Sequence, residues 1–530
     1  MARVARLFVA ILAIAAIAVS VWQLRSPAAT VAIEAVSIGR TPATVYRPAG
    51  ATAPGPAVVV AHGFAGSRVL MEPFAVALAR NGYVAVTFDF LGHGENPLPL
   101  TGDVTEVEGA TRALMEETGR VADFARSLEG TDGRIAVLGH SMASDIVVRF
   151  ANERPDVAAT VAVSMFSPAV TATAPRNLLV IVGDWEGALK DEALRAVGLA
   201  TAPSEAVPGV TTGSFADGTA RRVAFSDNTE HVAVLYSRES LGEAVAWMDA
   251  AFGVDRTGPP EVARRLPWLG LLFAGIVALG WPLSRLLPVV AARPLGAGLP
   301  WRRLWPAIVV PAVLTPALLL AVPTDFLPVV VGDYLAVHFL AYGAVTAAML
   351  AWLARRGADP SAGDGSAVPA DATDAGADGS DGRTRPLAFV VALLAVTAWG
   401  LGALGLAIDA FVTSFVPIPE RLPLIGAMLV GTLSYFLATE WATRGARSGR
   451  AAAAAGTLTF LLSLALAVAL DFERLFFLLI ILPVIVPFFL VYGLFGRWAY
   501  RRTNHPLVGA VANAVVFAWA IGVTFPMLAG

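Results

Sequence analysis

Three short polar motifs each directly follow an apolar run that is typical of a buried strand. The motifs are His-Gly-Phe at 62–64, Phe-Asp-Phe-Leu-Gly-His-Gly-Glu at 88–95 and Gly-His-Ser-Met-Ala at 139–143. A serine on a sharp strand-to-helix turn needs small residues two positions before and after it, because the turn is strained and the neighbouring strand is close. Gly139 and Ala143 meet this requirement, although alanine departs from the usual G-x-S-x-G pattern. Ser141 is therefore a candidate nucleophile.

A serine that attacks a carbonyl group also needs hydrogen-bond donors for the oxyanion that develops on the substrate. The loop that begins at His62 can aim a backbone N–H at this oxygen, and the N–H of the residue after the nucleophile is the second donor. The sequence therefore predicts an oxyanion hole formed by the backbone N–H groups of Phe64 and Met142.

The elements around these motifs must bring them together. Strand-like apolar runs occur at 31–38, 57–61, 84–88, 134–138, 157–163, 178–182 and 221–226. Helical patterns that separate most of them occur at 71–81, 108–128, 143–153, 188–197 and 238–252. This alternation predicts an α/β fold, a mostly parallel sheet with helices on both faces. In such sheets the reacting residues collect at the carboxyl ends of the strands, which is where the polar motifs lie.

In order and spacing, the three motifs resemble the α/β-hydrolase family, in particular its small lid-free members of the dienelactone-hydrolase and acyl-esterase type. The resemblance covers about residues 40–252, which is less than half of the chain. Lidded relatives insert a helical cap between the strands predicted at 157–163 and 178–182, where this chain has only Ser164 to Asn177. We therefore expect no large lid at that position. The longer stretch at 198–220 is a candidate border of the site.

The resemblance implies a catalytic triad in the chain order serine, acid, histidine. Three of the six histidines precede Ser141 and two lie in the apolar second half, so His231 is left as the general base. The acid should follow the strand at 178–182. The family's Gly-x-x-Asp pattern places Glu186 there, with Asp184 as the alternative acid.

The composition excludes a purely soluble protein, because 56% of the 530 residues are hydrophobic and only 15% are charged. Apolar runs of membrane-spanning length are predicted at 266–284, 305–322, 328–353, 386–408, 422–441, 454–470, 475–495 and 507–528. We expect three domains: an N-terminal signal-anchor helix at 1–25, an α/β-hydrolase domain at 31–252 and a polytopic membrane domain of about eight spans at 266–530. A disordered cytoplasmic linker is expected at 357–382.

The N-terminal run at 7–22 follows Arg3 and Arg6, and we interpret it as an uncleaved anchor rather than a cleaved signal peptide. With the N-terminus inside, one set of alternate loops contains Arg285, Arg293, Arg302, Arg303, Arg355, Arg356, Arg383, Arg385, Arg444, Arg447, Arg450, Arg497, Arg501 and Arg502. The opposite set contains only Arg421 and Arg474. Positive residues stay cytoplasmic, so the hydrolase domain is expected on the extracytoplasmic side of the cell membrane.

These patterns predict a membrane-tethered serine hydrolase that acts on carboxylic ester or thioester bonds of a small or lipid-like substrate. Two alternatives stay open: a transporter or envelope-assembly protein whose hydrolase-fold domain only binds, and an acyltransferase that uses the same acyl-enzyme. The net charge of −3, without a basic run, argues against nucleic acid. The absence of cysteine excludes disulfides and thiolate zinc sites. No metal cluster, phosphate loop or cofactor motif is present, so no cofactor is expected. The sequence does not indicate an oligomeric state.

Overall fold

A computed structural model of the protein describes residues 2–50, 53–104, 106–201, 206–357, 384–449 and 451–529. The chain forms two compact units, each of which consists of three separate stretches of sequence. The sheet unit comprises Ile14–Gly275, Leu406–Glu420 and Val523–Gly530. The helical unit comprises Met1–Ala13, Ile276–Gly405 and Arg421–Gly522. Except for Gly357, the expected linker at 357–382 lies outside the described residues.

The sheet unit is built on eight strands, counted over the described residues. They are β1 (Val31–Ile38), β2 (Thr41–Pro48), β3 (Gly55–Ala61), β4 (Val84–Phe88), β5 (Thr131–His140), β6 (Val157–Val163), β7 (Leu178–Gly183) and β8 (Arg221–Ser226). Their spatial order is β1-β2-β4-β3-β5-β6-β7-β8. The pairs β1/β2 and β2/β4 are antiparallel, and all the others are parallel. The predicted mostly parallel sheet is thus confirmed.

Burial on both faces explains why the central strands are continuous apolar runs. Val58, Val59 and Val60 of β3 point to alternate faces of the sheet, yet all three are fully buried. Parallel strands covered by helices on both faces have this character, whereas a half-exposed strand would alternate polar and apolar residues. The interior of the sheet therefore positions the ends of β3, β5, β6 and β7 as one rigid edge.

Among the described residues, the N-terminal half of the chain forms six α-helices. They are α1 (Ala2–Arg25), α2 (Glu72–Arg80), α3 (Arg112–Ser127), α4 (Met142–Glu153), α5 (Gly187–Gly198) and α6 (Arg238–Phe252). The last five fall close to the predicted helical patterns. The sequence missed β2, because Pro42 and Pro48 and its mixed polarity disguise a strand that pairs antiparallel between β1 and β4.

The remaining helices are predominantly apolar. They are α7 (Leu266–Leu283), α8 (Trp301–Leu319), α9 (Gly332–Gly357), α10 (Pro386–Ala398), α11 (Leu406–Phe411), α12 (Leu422–Thr443), α13 (Ala452–Leu470), α14 (Phe472–Thr503) and α15 (Pro506–Thr524). Over the described residues, nine helical segments are long and apolar enough to cross a membrane, one at Arg3–Thr30 and eight between Leu266 and Thr524. By length and composition, the chain is a multi-pass membrane protein. The last of these helices ends at Thr524, four residues before the end of the predicted span.

Two polar groups of the helical unit make local contacts. His338 lies in a fully buried position, with Nε2 at 3.1 Å from Ser463 Oγ. Asp333 accepts hydrogen bonds from the backbone N–H groups of Phe326 and Tyr334. Each group is thus engaged in structural packing, and no bond between His338 and Asp333 is needed to satisfy either of them.

Candidate active site

Ser141 occupies a strained turn between β5 and α4. Its φ of 54° and ψ of −120° are unusual for a residue with a side chain. A Cβ on Gly139 would lie 2.3 Å from the backbone oxygen of Ala143, so only glycine fits there. The Ser141 N–H donates to Val163 O of β6 at 2.9 Å, which ties the turn to the neighbouring strand. This is the geometry that the small residues at 139 and 143 predicted.

The parallel register brings the polar motifs to one edge of the sheet. Ala61 at the end of β3 is paired with Gly139, and Gly139 is paired with Ala162 near the end of β6. Towards the β8 edge of the sheet, Gly183 at the end of β7 is paired with Ser226 at the end of β8. The loops that follow these strands therefore start at nearly the same level and can converge on Ser141.

His231 bridges Ser141 and Glu186. Its Nε2 lies 2.9 Å from Ser141 Oγ, and its Nδ1 lies 2.5 Å from Glu186 Oε1. An ionised carboxylate only accepts hydrogen bonds, so Nδ1 carries a proton that it donates to Glu186. In the neutral imidazole, Nε2 is then an acceptor for the Ser141 hydroxyl. The Glu186 carboxylate is nearly buried, at 6% exposure, whereas His231 is 31% exposed and open to a substrate.

The Glu186 carboxylate is oriented through its second oxygen. Oε2 accepts hydrogen bonds from the Ser164 hydroxyl and from the Gly183 N–H, both at 2.7 Å. Ser164 directly follows β6 and has a positive φ of 52°. The sequence did not single out Ser164, although its position just after a strand, at the carboxyl edge of the parallel sheet, is a usable signal.

The alternative acid, Asp184, lies elsewhere. Its carboxylate pairs with Lys190 Nζ at 3.0 Å and is 47% exposed. Two further acidic residues next to His231 in the sequence make other local hydrogen bonds. Glu230 accepts hydrogen bonds from the N–H groups of Val232 and Ala233, and the N–H of Asp227 donates to Glu239. Of these four carboxylates, the structure brings only Glu186 to the imidazole of His231.

His140 holds the backbone of the loop that carries His231. It is buried, and its Nε2–H donates to the backbone oxygen of His231 at 2.9 Å. The two imidazole rings lie 4.9 Å apart between centroids. Burial lowers the pKa of His140 to about 3, and the neighbouring His231 acts in the same direction. His140 therefore stays neutral at physiological pH and places the backbone of His231 by a single hydrogen bond.

The loop after β3 lies directly against the nucleophile. A Cβ on Gly63 would lie 2.9 Å from Ser141 Cβ, so the two backbones are in close contact. Gly63 O accepts hydrogen bonds from His62 Nδ1 at 2.8 Å and from Gly66 N at 3.1 Å. In a trans peptide the carbonyl and the next N–H point in opposite directions, so the Phe64 N–H faces away from these donors.

His62 holds this loop in place. The Phe90 N–H donates to His62 Nε2 at 3.1 Å, which leaves the proton on Nδ1 for the bond to Gly63 O. Burial lowers the pKa of His62, so the neutral tautomer is the stable form. On the other side of Ser141, Met142 is the first residue of α4, where helix N–H groups have no acceptor within the helix.

The family match covers most of this site. Residues 52–208 match the family model described as serine aminopeptidase, S33, a stretch that includes Ser141 and Glu186 but ends before His231. Two uncharacterized proteins of Mycobacterium tuberculosis are each 32% identical over 111 residues, or 20% of this chain. The match spans only about a third (34%) of the length of these curated relatives.

Two solved structures are among those that match part of this chain. A dienelactone hydrolase from Anabaena variabilis is 18% identical with a TM-score of 0.30, and the match covers 42% of this chain and 98% of the other. An epoxide hydrolase from Vigna radiata is 20% identical with a TM-score of 0.21, and the match covers 26% of this chain and 40% of the other. The sheet, the strained serine turn and the family match define the sheet unit as an α/β-hydrolase domain. In this protein it is joined to a set of membrane-length apolar helices.

Proposed function

We propose that the protein is a membrane-tethered serine hydrolase that cleaves carboxylic ester or thioester bonds on the extracytoplasmic side of the cell membrane. The observation that carries this proposal is the continuous hydrogen-bond chain from Ser141 through His231 to Glu186, with distances of 2.9 and 2.5 Å. A domain that only binds a ligand has no need for a serine on a strained turn whose hydroxyl meets a carboxylate-oriented imidazole.

Ser141, His231 and Glu186 each have a defined role in the proposed reaction. His231 Nε2 takes the proton of the Ser141 hydroxyl as Oγ attacks the substrate carbonyl. Glu186 keeps the imidazole in the productive tautomer and stabilises the imidazolium that forms. The imidazolium then gives its proton to the leaving alcohol or thiol, and an acyl-enzyme on Ser141 results.

The second half of the reaction uses the same groups. His231 takes a proton from a water molecule, which attacks the acyl-enzyme, and returns the proton to Ser141 as the carboxylic acid leaves. In both halves, the tetrahedral intermediate carries a negative oxygen. The backbone N–H groups of Phe64 and Met142 are the proposed donors to this oxygen, because their loops meet at Ser141.

Exposed aromatic side chains near the triad support a lipid-like substrate. Trp185 precedes Glu186 and is 66% exposed, and Phe166 lies two residues after Ser164 and is 65% exposed. Large apolar side chains in such exposed positions favour contact with an apolar ligand or with lipid. Trp185 is also of the residue type that is enriched at membrane–water interfaces. We therefore propose an ester with an apolar acyl or alcohol group.

Labelling with a fluorophosphonate probe in detergent extracts tests the hydrolase proposal. We expect the wild-type protein to be labelled and the Ser141→Ala and His231→Ala variants to be unlabelled, because the first lacks the nucleophile and the second its base. Ser240→Ala is the matched control: it removes a buried hydroxyl in α6 that has no hydrogen-bond partner among the described residues, so labelling should persist. An unlabelled wild-type protein would favour the binding-module alternative.

A further inference from the structure

The hydrolase domain includes two short segments that are distant from it in sequence. The segment 406–420 contains α11, and the segment 523–529 begins at the end of α15. Both belong to the same compact unit as the sheet, although about 130 residues separate Gly275 from Leu406. Some of their contacts fall on the loop that carries the proposed oxyanion donor and on the loop that contains Gly92 and Leu100. Others join Phe411 to Tyr236 and Arg25.

The segment 406–420 binds the far end of the oxyanion loop, 62–67. Ser67 is fully buried, and its Oγ accepts a hydrogen bond from the Ser414 N–H at 2.9 Å. The same oxygen lies 3.0 Å from Thr413 Oγ1, with which it shares a hydroxyl hydrogen bond. Ser67 is three residues from Phe64, so these bonds hold the loop close to the proposed oxyanion donor.

The segment 406–420 is itself held in shape. Asp409 Oδ1 accepts hydrogen bonds from the N–H groups of Phe415 at 2.7 Å and Val416 at 3.0 Å, which closes the turn after α11. This turn presents Thr413 and Ser414 to Ser67. A hydrogen-bonded turn therefore makes the contact with Ser67, and not an irregular segment without internal hydrogen bonds.

The segment 523–529 supports the other side of the loop. The ring of Phe525, 2% exposed, contacts the ring of Phe64 edge-on with centroids 6.3 Å apart. Next to it, Met527 N–H donates to Gly92 O at 3.0 Å, and Met527 O accepts from Leu100 N–H at 2.8 Å. A Cβ on Gly92 would lie 2.4 Å from Met527 O, so this glycine admits the segment.

We propose that residues 406–420 and 523–529 position the oxyanion loop, with Thr413 and Phe525 as the two positioning residues. The proposal rests on the hydrolase function inferred above. Phe64 lies at the centre of the loop and Ser67 at its end, and each is held by one of the two segments. Loosening either contact lets the Phe64 N–H move relative to Ser141, so stabilisation of the transition state weakens while the triad stays assembled.

This role predicts a specific kinetic signature. Donors to an oxyanion act mainly in the transition state, so their misplacement lowers kcat and leaves KM nearly unchanged. A shift of about 1 Å at a catalytic group can cost on the order of 100-fold in rate. We therefore expect Thr413→Val and Phe525→Leu to lower kcat by roughly 10- to 100-fold, because the contacts lie one step away from the donor.

The test uses the full-length protein in detergent, with a soluble p-nitrophenyl ester as substrate and a trifluoromethyl ketone as transition-state analogue. We expect Thr413→Val and Phe525→Leu to weaken analogue binding in parallel with the loss of kcat/KM. Thr413→Ser keeps the hydroxyl, so its kcat should stay close to that of the wild type, in contrast to Thr413→Val. Thr346→Val and Phe517→Leu are matched controls, since they remove a buried helical threonine hydroxyl and a buried phenyl ring in the helical unit.

Each outcome separates this inference from the proposed function. Fluorophosphonate labelling and ester hydrolysis by the wild type establish the hydrolase independently. If the wild type is active and both variants keep its kcat, the positioning role is wrong. A change in KM alone would also overturn it, because the segments would then contact substrate and not the oxyanion loop. If Thr413→Ser loses as much kcat as Thr413→Val, the hydroxyl contact with Ser67 does not position the loop, and the proposal is wrong on this point.

Discussion

At the scale of single residues, the choice between two nearby carboxylates decides the triad. Glu186→Gln offers an amide N–H to His231 Nδ1 and so favours the wrong tautomer. We expect kcat for p-nitrophenyl acetate to fall on the order of 10³- to 10⁴-fold. Asp184→Asn removes only the exposed pair with Lys190 and should change kcat by less than about twofold. The reverse pattern, with Asp184→Asn inactive, would assign the acid to Asp184.

We expect His140 to make the stability of the domain depend on pH. Its folded-state pKa of about 3 lies below the usual value of 6.5, so the unfolded chain binds the proton more readily. The stabilisation from neutral His140 is complete above about pH 6.5 and is lost as the pH falls towards 3, at about 1.4 kcal/mol per pH unit. Acidification should therefore lower the thermal unfolding temperature.

The His140→Gln variant isolates this contribution. The glutamine amide can still donate to the backbone oxygen of His231, but it does not titrate. We expect the wild type to lose more thermal stability than His140→Gln between pH 7 and pH 5, followed by tryptophan fluorescence in detergent. His62, whose pKa burial also lowers, is present in both proteins and cancels in the comparison. Equal losses in the two proteins would mean that His140 does not stay neutral.

At the scale of elements, the turn between β5 and α4 depends on the absence of one methyl group. Gly139→Ala places a Cβ 2.3 Å from the backbone of Ala143, which no side-chain movement relieves. We expect this variant to lose fluorophosphonate labelling. Ala143→Gly restores the usual G-x-S-x-G pattern and should keep its labelling. It should cost roughly 1–2 kcal/mol of stability, because glycine is a poorer helix former and a buried methyl group is lost. A labelled Gly139→Ala protein would show that the turn can relax without displacing Ser141.

Most elements of the sheet unit could be predicted because their apolar runs and helical patterns are long. Seven of the eight described strands were predicted, and β2 was missed because its prolines hide its pairing. The serine turn was predictable because its requirement for small residues is local. The prediction of Glu186 over Asp184 came from the family's Gly-x-x-Asp pattern and not from the residues alone, because the two lie on one loop and the turn that starts at Gly183 decides which of them faces His231.

The rest of the site escaped prediction for a different reason. The contacts of Ser67 with Thr413 and of Phe64 with Phe525 join residues more than 340 positions apart. No periodic pattern in the sequence indicates either contact. The stretch 198–220 was the expected border, yet Thr212 bridges to Arg221 at the start of β8, the end of that strand opposite to the catalytic edge. The segments that contact the loop 62–67 are instead 406–420 and 523–529, which are distant in sequence.

At the scale of the whole molecule, the hydrolase domain is not separable at a single position in the sequence. Its compact unit includes Leu406–Glu420 and Val523–Gly530 in addition to Ile14–Gly275. Both additional segments are continuous in sequence with apolar helices of membrane-spanning length. A fragment that stops at Gly275 would therefore lack the partners of Ser67 and Phe64. Activity of this domain is expected to depend on the presence of the apolar half of the chain.

The proposed orientation of the chain rests on its arginines. It can be tested with single cysteine variants, because the chain has no cysteine of its own to react. We expect Asp217→Cys, at an exposed position of the hydrolase domain, to react with a membrane-impermeant maleimide on intact cells. Ala446→Cys lies between Arg444 and Arg447 in an arginine-rich loop and should react only after permeabilisation. The opposite pattern would place the hydrolase domain in the cytoplasm, where its ester substrate would have to be sought instead.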